Sequence, residues 1–317
     1  MSMRRLRRLL TAWITGYVLF SVAGGIMLAE LQLHPWRRPL AHAQQAEAIV
    51  RERYGAELQN VQIAAADGVP LSAWYVQPHN ANGMHVLLLH GVQDNREGVA
   101  GFAEPLIEQG YSVLLPDSRA HGESGGTLAT YGLLESDDVH RWVNWLYKAH
   151  GSRCVYGFGE SMGAALALDS LNEAPRFCAV VAEAPFSSFR NVAFERSALY
   201  LGAPTWIGKT ILRLPVEVGI GYAKLRYHLD FDDDNPVDAV AHSSTPILLI
   251  HGTADVNILP HHSETIAARS PSHVVLWEVP GAAHCGASSV QPQMFWTRVL
   301  GWFDSHRQLP GPVMNAT

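Results

Sequence analysis

Gly157-Phe158-Gly159-Glu160-Ser161-Met162-Gly163-Ala164-Ala165 sets a G-x-S-x-G directly between a short apolar run and a helix-forming one. Arg153 to Phe158 reads as a buried strand and Met162 to Leu171 as an alanine-rich helix, which puts Ser161 on a tight strand-to-helix turn. Such a turn strains the serine backbone. Only very small residues two before and two after it, here Gly159 and Gly163, let strand and helix approach closely. The turn lifts Oγ clear of the sheet, where a base can reach it. The bare motif is common by chance, and the strand and helix around it give it meaning.

A serine hydroxyl is inert until a histidine takes its proton, and that histidine needs a carboxylate to fix its tautomer. Both are found downstream. The apolar run Thr245 to His251 ends in Gly252-Thr253-Ala254-Asp255, which places Asp255 just beyond a strand's carboxyl end. Val274 to Val279 reads as the next strand and leads into Pro280-Gly281-Ala282-Ala283-His284, so His284 occupies the next such loop. Glu183, after the strand that follows the turn's helix, is the reserve candidate for the acid. An oxyanion hole requires backbone N–H groups beside the nucleophile. Met162, next to Ser161, supplies one, and Val92 supplies the other, after the strand Met84-His-Val-Leu-Leu-Leu-His90-Gly91.

The chain order Ser161, Asp255, His284, with His90-Gly91 and the turn itself, resembles the α/β-hydrolase superfamily, of the serine esterase and lipase type with an N-terminal membrane anchor. Asp117-Ser118-Arg119-Ala120-His121-Gly122-Glu123-Ser124 is similar to that family's D-x-R-G-x-G-x-S loop, with Ala120 where glycine is usual. The resemblance runs from about Val61 to the C-terminus. It implies an α/β fold, a mostly parallel eight-stranded sheet flanked by helices and carrying a helical cap. It also implies a serine hydrolase that cleaves carboxylic esters through an acyl-enzyme. A peptidase or thioesterase would use the same residues on another leaving group. A non-catalytic binding protein on this fold typically lacks a member of the set, and this chain has all three.

A chain of 317 residues, 48% hydrophobic and 16% charged, can bury one large core. Its net charge is −6, and removing the arginines at 4, 5, 7 and 8 leaves −10 on the remainder, a poor match for nucleic acid. The 21 residues from Leu9 to Ala29 carry no charge and as a helix would span about 31 Å, one bilayer core. The flanking arginines put the N-terminus in the cytoplasm and the remainder outside it. The alternative is a signal peptide cleaved after Ser21-Val22-Ala23, which would leave a secreted protein, but the apolar run is longer than a usual signal core.

The chain therefore divides into a basic tip and transmembrane anchor at 1–33, a juxtamembrane linker and helix at 34–60, and a hydrolase domain at 61–317. No candidate catalytic residue precedes Val92, so a chain begun near Pro35 is expected to be soluble and active. A leading hairpin at 61–77 precedes strands at 84–89, 111–116, 153–158, 178–183, 246–251 and 273–278, which alternate with helical patterns. The stretch 187–241 is too long for a crossover and reads as a helical cap. Its apolar residues, among them Phe189, Trp206 and Ile211, are candidates to roof a pocket for a neutral ester of short to medium acyl length, although most are expected simply to pack the cap.

Other conspicuous residues take structural readings. His90, His121 and His251 are expected to satisfy their rings locally, and His261-His262 to lie on the surface. Glu160 is expected beside the turn rather than in the reaction, and the acidic run Asp230 to Asp234 reads as a solvated turn. No metal-ligand spacing occurs and no cofactor is implied. Cys154 and Cys178 begin neighbouring strands, so a disulfide is geometrically conceivable, although strand cysteines usually serve as small buried hydrophobes; Cys285 adjoins His284.

Overall fold

The computed structural model describes residues 2–172, 177–232 and 235–307. Two helices come first, α1 (Met3–Leu33) and α2 (Ala43–Tyr54). The sheet then alternates with helices: β1 (Glu57–Ala64), β2 (Pro70–Gln77), β3 (Met84–Leu89), α3 (Ala100–Glu108), β4 (Ser112–Pro116), α4 (Glu135–His150), β5 (Cys154–Glu160), α5 (Met162–Asp169) and β6 (Phe177–Glu183). Between β6 and the next strand lie α6 (Phe189–Tyr200), α7 (Thr205–Lys209), α8 (Arg213–Tyr227) and α9 (Pro236–His242), the helical cap expected at 187–241. The chain closes with β7 (Ile247–Gly252), α10 (His261–Arg269), β8 (Val274–Val279), α11 (Ala287–Val290) and α12 (Pro292–Ser305).

Among the described residues the eight strands are ordered β1-β2-β4-β3-β5-β6-β7-β8, and β2 alone runs against the direction of the others. Central strands buried on both faces need apolar residues at every position. In β3, Leu87 and Leu89 join the core on one face while Val86 and Leu88 join the core on the other. The strand order reverses at β3 and β5, so the loops beyond their carboxyl ends diverge and leave a crevice. Gly91 and Ser161 stand at that crevice. Cys154 and Cys178 are bonded across β5 and β6 with Cα atoms 5.9 Å apart, so these two do not serve as free hydrophobes.

The D-x-R loop is held by buried charge. The Asp117 carboxylate accepts from the Arg96 backbone at 2.8 Å, the Arg96 guanidinium at 2.6 Å and Glu123 N–H at 2.7 Å. Arg119 donates in two-pronged fashion to Asp138 at 2.7 and 2.8 Å. Ala120 has φ +61°, in the left-handed region, which explains why glycine is the usual residue there.

Helix α1 is not free along its length. Residues up to Phe20 are exposed, but Ser21, Gly25, Ala29 and Leu33 form a buried stripe at four-residue spacing against α8. The helices touch backbone to backbone: a Cβ on Gly25 would lie 2.4 Å from Pro215 O, and one on Gly219 would lie 2.7 Å from Gly25 O. Hydroxyls of Tyr222 and Tyr227 donate to Glu30 at 2.6 and 2.7 Å, and Tyr17 donates to Ile211 O at 2.8 Å. The sequence separates residues 1–33 from the domain that follows, whereas the structure packs the second half of α1 onto the cap.

A second clamp ties cap to body. Glu195 of α6 accepts from His261 at 2.8 Å, from His262 at 3.1 Å and from Lys209 at 2.8 Å. His262 is fully buried and not on the surface as its sequence position led one to expect, because its Nδ1 accepts from Ser187 N–H and its Nε2–H is left to meet the cap's carboxylate. The acidic run ends in Asp233 and Asp234, which lie outside the described residues; Asp230 pairs with Lys224, and Asp232 with Arg190 at 2.7 Å.

Candidate active site

Ser161 sits between β5 and α5 with φ +53° and ψ −117°, a conformation that L-residues rarely adopt. The two flanking glycines are required by contact. A Cβ on Gly159 would lie 2.4 Å from the Gly163 backbone, and one on Gly163 would lie 2.2 Å from Leu89 O. Gln93, Tyr131 and Cys285 also have positive φ and line the same cavity as Ser161, so backbone strain gathers at this end of the sheet.

His284 joins the two other candidates. Its Nδ1 lies 2.7 Å from Asp255 Oδ2 and its Nε2 lies 2.9 Å from Ser161 Oγ. Burial would raise the Asp255 pKa, but His251, the bond from His284 and the N–H group of Ile258 outweigh it and hold the carboxyl well below its usual range. An ionised Asp255 accepts, so the His284 proton belongs on Nδ1, and Nε2 accepts from the Ser161 hydroxyl.

Glu183, the reserve acid, is placed otherwise. It accepts from Ala287 N–H at 2.9 Å, its other oxygen is buried with no hydrogen-bond partner among the described residues, and burial raises its pKa to about 7. Glu160 lines the cavity beside Ser161. Burial, then the charges of Glu183 and Asp94, raise its pKa to about 8, so near neutrality it is largely a neutral acid. Burial pushes the Cys285 thiol well above its ordinary value, so near neutrality it is a protonated thiol.

The other histidines divide. His90 accepts from Ser118 N–H at 3.0 Å and lies 2.7 Å from Gly91 O; His251 lies 2.7 Å from Ser263 Oγ and 2.9 Å from Ile258 O. His121 meets Arg119 O at 2.9 Å, but its Nε2 has no partner among the described residues, and burial lowers its pKa to about 4. Glu195, His261 and His262 bring ligand atoms within 4.8 Å of one another, a grouping that adjacent histidines on a helix start did not advertise. Lys209 already neutralises that carboxylate at 2.8 Å, which suits an ion-pair clamp better than a cation site.

Met162 opens α5, so its N–H has no intrahelical acceptor, and Val92 follows Gly91, whose Cβ if present would stand 3.5 Å from Ser161 Cβ. Both residues border a cavity of about 410 Å³ at Ser161. Its walls are mostly apolar: Phe186, Phe189 and Ile220 from the cap side, with Leu28, Ala29 and Leu33 from α1. Trp206, Ile211 and Leu214 instead point outward and are exposed. The α1 contribution was invisible to a reading that placed every functional group after residue 60; its signal is the small-residue spacing of Ser21, Gly25 and Ala29.

A family model described as "Serine aminopeptidase, S33" matches residues 81–231. Among curated proteins, YqkD of Bacillus subtilis is 28% identical over 228 residues, covering 70% of this chain and 71% of that protein. YfhR of Escherichia coli K12 is 28% identical over 244 residues, covering 73% and 75%. Among solved structures, the Pyrococcus furiosus esterase Pf2001 superposes with a TM-score of 0.68 at 25% identity, covering 86% of this chain and 99% of that one.

Proposed function

We propose that this chain, an α/β-hydrolase, cleaves carboxylic esters through an acyl-enzyme formed on Ser161. One observation carries the reading: His284 bridges Ser161 and Asp255 at 2.9 and 2.7 Å, with the carboxylate held ionised. Ser161 attacks the carbonyl as His284 Nε2 takes its proton, and Asp255 steadies the imidazolium. The amides of Val92 and Met162 receive the oxyanion, each worth about 3 kcal/mol by analogy with single-donor deletions in other enzymes. His284 returns the proton to the leaving alcohol, then activates water to release the acid. The apolar cavity wall and the esterase likeness favour a neutral acyl group.

An aminopeptidase is the second reading. It draws on the description of the matching family and on Glu160 and Asp94, two carboxylic groups in the cavity that could meet a substrate amine. A fluorophosphonate probe is expected to label Ser161 and to leave Ser161→Ala unlabelled. On matched ester, thioester and amino-terminal peptide substrates the ester is expected to be cut fastest; faster cleavage of the peptide would replace the esterase reading with the second one.

For α1, we propose a single membrane span with the N-terminus in the cytoplasm and the hydrolase outside it, on the strength of its 31 residues and the arginines at its start. A cleaved signal remains the alternative. Carbonate extraction with N-terminal sequencing of the recovered protein distinguishes them: retention of the full chain in the membrane supports the span.

A further inference from the structure

The uncharged part of α1 that precedes the buried stripe is Leu9 to Phe20, exposed throughout and tied to the cap through the Tyr17 hydroxyl. Twelve residues of helix reach only about 18 Å, against about 30 Å for a bilayer core. If α1 spans, the hydrocarbon must extend over the half of the helix that is docked on α8. The cap then enters the membrane with it. Tyr17, midway along the uncharged run, donates to Ile211 O at 2.8 Å, which fixes the α7–α8 corner at that depth. The corner exposes Leu201, Trp206, Ile211 and Leu214, at 66%, 58%, 54% and 38%, and interleaves them with Lys209, which pairs with Glu195 at 2.8 Å, and exposed Arg213, long basic side chains of the kind that snorkel towards headgroups.

The same docked turns of α1 carry Leu28, Ala29 and Leu33 into the wall of the cavity at Ser161. Close approach of Gly25 to the Pro215 and Gly219 backbone and the two tyrosine bonds to Glu30 hold that wall in place. Tyr200, half-exposed at the cavity rim, lies 3.4 Å from Gln32 of α1 and directly precedes Leu201 of the exposed corner. One helix thus both fixes the depth of the enzyme and shapes its acyl site.

Resting on the hydrolase and membrane-span readings above, we propose that the Leu201–Leu214 corner of the cap reaches through the leaflet nearest the hydrolase domain to about the bilayer midplane, and that α1 is a selectivity wall for acyl esters dissolved in that bilayer. Chain-length preference is then set by α1, and the substrate chain enters from lipid rather than from water.

Full-length protein in phosphatidylcholine vesicles tests this with a water-soluble butyrate ester and a decanoate ester that partitions into the bilayer. Ala29→Phe fills the wall and is expected to lower the decanoate-to-butyrate ratio of kcat/KM by about tenfold or more, the range for a crowded apolar pocket. Leu28→Ala removes bulk without crowding the crossing and is expected to raise the ratio; an unchanged ratio in that variant overturns the wall assignment even if Ala29→Phe fails to fold. A nitroxide on Trp206→Cys is expected to collide more with oxygen than with an aqueous nickel chelate. Preferential access by the chelate, or burial against a second copy of the chain, overturns the bilayer seat while leaving the hydrolase reading untouched. That reading fails separately, if wild-type butyrate turnover survives Ser161→Ala.

Discussion

The carboxyl edge of the sheet and the seam between α1 and the cap are built from different kinds of contact. At the sheet edge, Ser161, Asp255 and His284 are 29 and 123 positions apart along the two bonds that link them, yet each stands in a loop after a parallel strand, so topology alone brings them together. At the seam, Gly25 meets Gly219, and Glu30 meets Tyr222 from 192 positions away, and no strand order dictates either contact; small residues and a few hydroxyls do. The first region depends on side-chain chemistry and tolerates little exchange of functional groups. The second depends on backbone proximity and tolerates little added volume.

The largest effect expected lies at the sheet edge. Ser161→Ala and His284→Ala should each lower kcat by about 10⁴ or more, with the double variant scarcely slower than either, because each group is useless without the other. Losses that multiplied in the double variant would show that the two residues work independently. Glu183→Gln should cost far less, since that group bonds Ala287 and not His284.

That edge was legible in the sequence because its signals are local. Glycines at 159 and 163, apolar runs before residues 161, 255 and 284, and strand-to-loop transitions are all readable within a dozen residues, and the six parallel strands fell within two residues of their expected limits. The seam was not legible. Ser21, Gly25 and Ala29 read as parts of an apolar anchor, and nothing in their neighbourhood reveals that α8 waits for them. His262 reads as surface because its partner Glu195 lies 67 positions away, in a cap whose docking the sequence does not disclose. The cysteine pair at 154 and 178 was placed on adjacent strands correctly, but adjacency alone does not distinguish a bond from two thiols.

The seam is sharpened by two neighbouring glycines. Gly25→Ala would set a Cβ 2.4 Å from Pro215 O and 2.9 Å from Val218 Cβ, so the helices must part, at a cost of about 1–3 kcal/mol by analogy with overpacked cores. Gly24→Ala meets only Phe20, at 4.0 Å, and should be neutral or slightly stabilising. Denaturation in detergent micelles compares them directly; equal stability of the two variants would mean that α1 is not clamped on α8.

The sheet edge should also answer pH in the opposite direction to the clamp that ties cap to body. Burial raises Glu160 from 4.5 to about 8, so its folded form holds a proton that the unfolded chain has lost; wild-type stability from this group is full below about 4.5 and is lost as pH rises through 8. Glu160→Gln should therefore melt higher than wild type above pH 8 and converge with it in acid. Glu195 is opposed by burial but held down to about 2 by His262, Lys209 and His261, so its contribution is present above about 4.5 and fades as pH falls towards 2. Glu195→Gln should melt lower than wild type at neutral pH, the gap closing in acid. Parallel pH trends in the two variants would falsify the contrast.

The smallest effect tests how far the sheet edge tolerates backbone strain that no chemistry uses. Ala120 adopts φ +61° in the D-x-R loop, where its N–H donates to Gly125 O at 2.8 Å and its side chain is buried. A left-handed alanine costs about 1–2 kcal/mol relative to its usual conformations, and glycine escapes that cost while gaining freedom in the unfolded chain, which offsets part of it. Ala120→Gly should therefore stabilise by about 0.5–1 kcal/mol, read as a higher midpoint at an unchanged denaturant slope. Ser161 has a similar φ, +53°, but its strain presents Oγ to His284, so Ser161→Gly would relieve the backbone only by deleting the proposed nucleophile. A destabilised Ala120→Gly would mean that the alanine methyl packs more tightly than the strain costs, and that the loop's departure from glycine is an adaptation of the core rather than a tolerated defect.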